Sequence, residues 1–131
     1  MEQPMDGKNW RMQLVNRYKN AFSAGDLREI DKILSPNFHE KVEDGEVSRI
    51  AHMDHLQMMI DVSQSRKVSF SDFADEAGDV ITSCALDLQV KNQTWLISAK
   101  MRFRFDDGLI DHIAVWDVIE ENFTTNVCKQ G

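Results

Sequence analysis

Three side chains stand out for chemistry in an apolar setting: Tyr18, Glu40 and Asp117. Tyr18 is the only tyrosine. It belongs to the stripe Trp10, Leu14, Val15, Tyr18, Ala21 and Phe22, whose spacing is that of one helix face. Glu40 falls in the short run Phe38 to Glu43, and Asp117 follows Ile113 and Val115 at alternate positions. Burial of a carboxylate among apolar neighbours disfavours its charged form and suits it to proton exchange near neutral pH. Glu40 and Asp117 are therefore the acid/base candidates, beside a phenol able to donate a hydrogen bond. Plainer readings compete. Tyr18 can be a core aromatic with its hydroxyl bonded to a neighbour. Asp117 can pair with an arginine or sit in water near the end of a sheet. Glu40 turns outward if its strand slips by one residue.

The histidines and cysteines suggest less. His52 and His55 are three apart, with Asp54 between them and His39 upstream, but the spacing is not HExxH and no cysteine pair assists. No metal and no cofactor are expected. His52 and His55 are assigned to the helix surface or a pocket mouth, and His112 to an outward sheet face. Cys84 sits in an alternating apolar run as a small core residue. Cys128 falls in a polar tail, and a disulfide between the two is not expected. Lys100, Arg102 and Arg104 form a basic row that reads as a solvated face opposite acids.

These residues need elements to position them. A first helix is expected over about Lys8 to Ala24, ended by Gly25. Asp26 then caps a second helix, with Glu29 three residues on as in a capping box. Leu27, Ile30, Ile33 and Leu34 form its apolar face, and Ser35-Pro36-Asn37 stops it. The short strand Phe38 to Glu43 leads through Asp44-Gly45 to a third helix over Ser48 to about Ser65, with Ile50, Met53, Leu56, Met59 and Ile60 inward. From Lys67 the period becomes two. Strands turn at Ala77-Gly78-Asp79, near Asn92 and at Asp106-Asp107-Gly108. On the last strand, Asp111, Ile113, Val115, Asp117 and Ile119 are expected on one side, with Ile110, His112, Ala114, Trp116 and Val118 on the other. Three helices and a mostly antiparallel sheet make an α+β domain. A strand apolar on both faces needs cover on both, so a homodimer through the outer sheet face is expected.

Two segments carry a family resemblance. RYKNAFSAGDL, Arg17 to Leu27, resembles the opening helix and turn of the nuclear transport factor 2-like superfamily, and FRFDDGLIDHIAVWD, Phe103 to Asp117, resembles its closing hairpin. The superfamily includes ketosteroid isomerases and SnoaL-like polyketide cyclases. The resemblance implies a cone-shaped fold over residues 8–121, with helices and a curved sheet around a pocket. Aligned on the isomerases, Tyr18 matches their catalytic tyrosine. Met101 stands where their oxyanion-hole acid would be, and Val42 where their base would be. The cyclases place an aspartate just before a tryptophan on the last strand; here Val115 precedes Trp116. Neither mechanism carries over.

The expected pocket face comprises Trp10, Leu14, Val42, Leu86, Leu88, Met101, Phe103, Ile113 and Val115, with Ala99 among them. That is a surface for a small apolar molecule. One hypothesis is an isomerase, cyclase or dehydratase-like enzyme, with Tyr18 donating to developing negative charge. The other is a non-catalytic ligand-binding or dimeric interaction domain. With 131 residues, 42% hydrophobic, the chain suits a single domain with a core. Its net charge of −7 argues against a nucleic-acid partner. No run approaches a membrane span. The polar segments 1–7 and 122–131 read as tails, with no signal peptide, so a cytoplasmic location is the default.

Overall fold

The computed structural model describes residues 7–124. Residues 1–6 and 125–131, which include Cys128 and most of both expected tails, lie outside the described residues. The elements are α1 (Gly7–Ala24), α2 (Leu27–Ile33), β1 (Leu34–Val42), β2 (Gly45–Ser48), α3 (Arg49–Val62), β3 (Ser65–Glu76), β4 (Asp79–Val90), β5 (Gln93–Asp106) and β6 (Leu109–Thr124). The third helix therefore follows two strands rather than completing an N-terminal group. The turn at Asp44-Gly45 belongs to a β1–β2 hairpin, and β6 reaches three residues into the expected tail. Among the described residues no helix is long and apolar enough to cross a membrane.

The six strands form one sheet in the order β2-β1-β6-β5-β4-β3. All neighbours are antiparallel except β1 and β6, which run parallel. Three two-residue turns join β3 to β6. Ala77-Gly78 and Asp107-Gly108 have both residues at positive φ, as a type I′ hairpin requires.

Local chemistry explains the helix ends. Gly25 has φ +75° and ends α1; the Glu29 amide donates to Asp26 Oδ1 at 3.2 Å, starting α2. The Ala51 amide donates to Ser48 Oγ at 3.1 Å, starting α3. Two arginines then tie the helices to the sheet. Arg66 on β3 donates to Phe22 O at the end of α1 (3.0 Å) and to Ser63 Oγ beyond α3 (2.7 Å). Arg49 donates to the carbonyls of Asp31, Leu34 and Ser35 and to the Asp31 carboxylate. A guanidinium near a helix C-terminus meets unpaired carbonyls and the negative end of the dipole.

The core lies between the helices and one sheet face. Val15, Phe22, Ile30, Ile33, Phe38, Phe103, Ile110 and Ile113 are among its buried members. Ile50 is an exception to the expected inward set: it is 75% exposed.

β6 departs from simple alternation twice. Phe105 pairs with Ile110 and Arg104 with His112, so Asp111 is an extra residue. Lys100 pairs with Trp116 and Ser98 with Ile119, so Asp117 and Val118 together oppose one residue. Each bulge shifts the following side chains to the other face. Ile110 consequently enters the core instead of sharing the outer face with His112. Ile119 turns outward and is 61% exposed.

Candidate functional site

The strands deliver the inner face expected from alternation. Val80 pairs with Phe103, Thr82 with Met101, Cys84 with Ala99, Leu86 with Ile97 and Leu88 with Trp95. On β6, Ile113 lies beside Phe103 and Val115 beside Met101. β1 enters the same face because Glu40 aligns with Ile113. Leu14, Leu88, Phe103 and Ile113 are buried. Trp10, Val42, Leu86, Met101 and Val115 are partly buried. Met101 and Val42 thus belong to this apolar surface.

Tyr18 is buried on α1, with its ring edge-on to Phe103 at 5.8 Å between centroids. Its hydroxyl lies 2.9 Å from His52 Nε2. The opposite ring nitrogen, His52 Nδ1, lies 3.0 Å from Glu40 Oε1. Helix α1, helix α3 and strand β1 therefore contribute one member each to a linear chain, phenol to imidazole to carboxylate. Phe38 packs against the imidazole at 4.9 Å. The His52 side chain is 5% exposed and that of Glu40 is 17% exposed, so the carboxylate is the end nearer water.

Hydrogen-bond capacity dictates a direction. A carboxylate oxygen accepts, so His52 Nδ1 carries the hydrogen and Nε2 is left as the acceptor for the Tyr18 hydroxyl. Burial, then the charges of Glu40 and Cys84, pushes the Tyr18 phenol well above the usual tyrosine range. A lone phenolate is thus disfavoured. The nearby Cys84 thiol is pushed up to about 11 by burial and is a poor nucleophile at neutral pH.

Two expectations are corrected. His52 is not at the helix surface: it is 4% exposed and central to the site. Its inward position was signalled by spacing, because His52, Leu56, Met59 and Ile60 stand at i, i+4, i+7 and i+8. Asp117 does not join the site. It sits at φ +54° within the second β6 bulge, where it and Val118 together oppose Ala99, and it is exposed. His55 is exposed, as expected for a helix-surface histidine. The basic row on β5 is partly neutralised: Arg102 contacts Asp79 at 2.7 Å and Glu76 at 2.8 Å, and Arg104 contacts Asp79 at 3.6 Å.

Neither a scan of protein-family models nor a search of curated proteins finds a match to this chain. Solved structures do match. AclR from Streptomyces galilaeus, named as a hydroxylase, aligns with TM-score 0.73 at 18% identity over 85% of this chain and 88% of its own. A Jannaschia sp. CCS1 protein named as a SnoaL-like polyketide cyclase aligns with TM-score 0.72 at 10% identity, over 88% and 90%. An LEH-like epoxide hydrolase of M. tuberculosis aligns with TM-score 0.68 at 18% identity, over 82% and 81%. Likeness at such low identity speaks to architecture and not to chemistry. Helix order, sheet order and these alignments agree that the chain has the nuclear transport factor 2-like fold, the fold of the SnoaL-like proteins.

Proposed function

We propose that this protein binds a small apolar molecule against the inner sheet face and transfers a proton to or from it through Tyr18, His52 and Glu40. The observation that carries this reading is the continuous Tyr18–His52–Glu40 chain, 2.9 and 3.0 Å in its two links, within a mainly apolar interior. In the forward direction Tyr18 accepts a proton from the ligand as its own passes to His52 Nε2. Glu40 steadies the imidazolium that forms and holds the ring in the required tautomer, the role a carboxylate plays beside a catalytic histidine. No isolated phenolate is formed, in keeping with the raised Tyr18 pKa. In reverse the same chain supplies a proton, and Glu40 exchanges with water at the outer end. The reaction class is isomerase, cyclase or dehydratase-like, which the chemistry of the relay supports. Asp117 is left out of the catalytic set.

The test is hydrogen–deuterium exchange at the carbon beside the carbonyl of a panel of cyclic ketones, followed by NMR in D2O. Saturable exchange is expected with at least one ketone, with losses of ~10²-fold or more in Tyr18→Phe and Glu40→Gln, the usual scale of general acid–base catalysis. Exchange rates in both variants equal to wild type would reject the relay. Saturable binding of ketones without exchange would instead favour a non-catalytic ligand-binding domain.

We also infer a homodimer through the outer sheet face, where Leu96, Ile119 and Phe123 are exposed. Sedimentation at micromolar concentration should show about twice the 15.1 kDa chain mass; a single 15 kDa species would reject it.

A further inference from the structure

A second cluster lies on the opposite face of the sheet, away from the relay. His39 on β1 and His112 on β6 are register partners, and their rings meet edge to face at 4.5 Å. Glu46 on β2 reaches over both. Its Oε1 is 3.4 Å from His39 Nε2 and 4.0 Å from His112 Nε2. One ligand atom from each residue can be chosen so that all three lie within 4.8 Å of one another. We propose that His39, Glu46 and His112 form a site for one divalent transition-metal ion of the zinc class, joining β2, β1 and β6.

The donor chemistry favours this. Two imidazole nitrogens and one carboxylate oxygen are a common three-residue set for Zn²⁺, leaving a fourth position for water or another ligand. His39 Nδ1 lies 3.4 Å from the Asn37 carbonyl. If Nδ1 donates to that carbonyl, Nε2 is left with its lone pair aimed at the Glu46 carboxylate. Two acceptors at 3.4 Å repel unless a cation lies between them, and the outward hydrogen bond is the second-shell arrangement that orients a histidine ligand. His112 Nδ1 is buried and has no hydrogen-bond partner among the described residues, so its N–H stays unpaired when Nε2 serves as the ligand. The His112 side chain is 12% exposed, which gives the site a sheltered floor, whereas His39 and Glu46 are open at 46% and 54%. Tetrahedral ligation at about 2.0–2.1 Å places ligand atoms roughly 3.3 Å apart. The required closure is about 1.5 Å or less, within the reach of side-chain rotation at two open residues. Arg104, opposite His112 across the strand pair, is an opposing cation on this face, and it engages Asp79 at 3.6 Å. Lys41, paired with Glu46, is exposed.

The experiment is calorimetric titration of ZnCl2 into untagged full-length protein stripped with a chelator. One Zn²⁺ per chain is expected, with a rise in Tm on loading. Glu46→Gln should weaken binding by at least about tenfold, the loss that removing even outer-shell support produces. The double variant His39→Ala/His112→Ala should abolish the stoichiometric site and the Tm rise, and His55→Ala should keep both. Circular dichroism in chelator checks that each variant folds. Glu46 is exposed on the edge strand, so Glu46→Gln decides the matter if the double variant does not fold. Absence of stoichiometric binding in the wild type, or undiminished binding in Glu46→Gln, would overturn the assignment.

Discussion

A double-mutant cycle across the Tyr18–His52 hydrogen bond tests whether the buried chain is a coupled unit. Tyr18→Phe keeps the ring against Phe103 but leaves His52 Nε2 without its donor in a site where His52 is 4% exposed. Stranding a buried polar atom costs about 1–3 kcal/mol. His52→Leu strands two groups, the Tyr18 hydroxyl and the inner side of the Glu40 carboxylate. Because Glu40 is 17% exposed and can recover water, the expected cost is about 2–4 kcal/mol, below that of a fully buried charge. In the double variant the hydroxyl is absent, so its stranding penalty disappears. The two changes together should therefore cost about 1–2 kcal/mol less than the sum of the singles. Urea denaturation at neutral pH measures all four proteins, with the m-value checked for constancy. Additivity within about 0.5 kcal/mol would refute the reasoning, because groups that do not share a bond add.

Other consequences follow from the same geometry. Stability should fall on the alkaline side. Between pH 9 and about 11 the unfolded Cys84 thiol ionises while the folded one stays protonated, so the native state binds more protons and stability declines as pH rises. The raised Tyr18 value adds the same sign above pH 10; thermal melts should show a loss on the order of 2 kcal/mol, flattened in Cys84→Ala. Arg49→Ala should destabilise by about 1–3 kcal/mol in denaturant titrations, and Arg49→Lys should recover little, because a single ammonium cannot reproduce a fork reaching three carbonyls and a carboxylate. Asp117→Asn should leave ketone exchange unchanged, since the residue stands exposed in a bulge; a large loss would restore it to the site. Phe103→Ala should cost about 3–5 kcal/mol and disturb the Tyr18 ring it supports, readable in the same melts and in the exchange assay.

Sequence alone determined what depends on neighbours along the chain. Gly25, Asp26 and Glu29 marked the break between two helices because caps and left-handed residues act within one turn. Alternation from Val80 to Phe105 set the inner face of β4 and β5, because a strand's side chains have a period of two. Tyr18 is legible as inward from its helical stripe, whereas the face of Glu40 hangs on the register of a short strand that only its partners fix. The tertiary structure decided what depends on residues far apart. His52 joins Tyr18, 34 positions earlier, to Glu40 only because α1, α3 and β1 converge. His39, Glu46 and His112 meet only because β1 lies parallel to β6, a pairing with no local signature. Asp111 and Asp117 carry no evident mark of a bulge, yet each extra residue there inverted the faces that followed. Local periodicity cannot register a one-residue slip that partner strands impose, and that slip turned Ile119 outward; nor can it show that the imidazole of His52 links Tyr18 to a carboxylate.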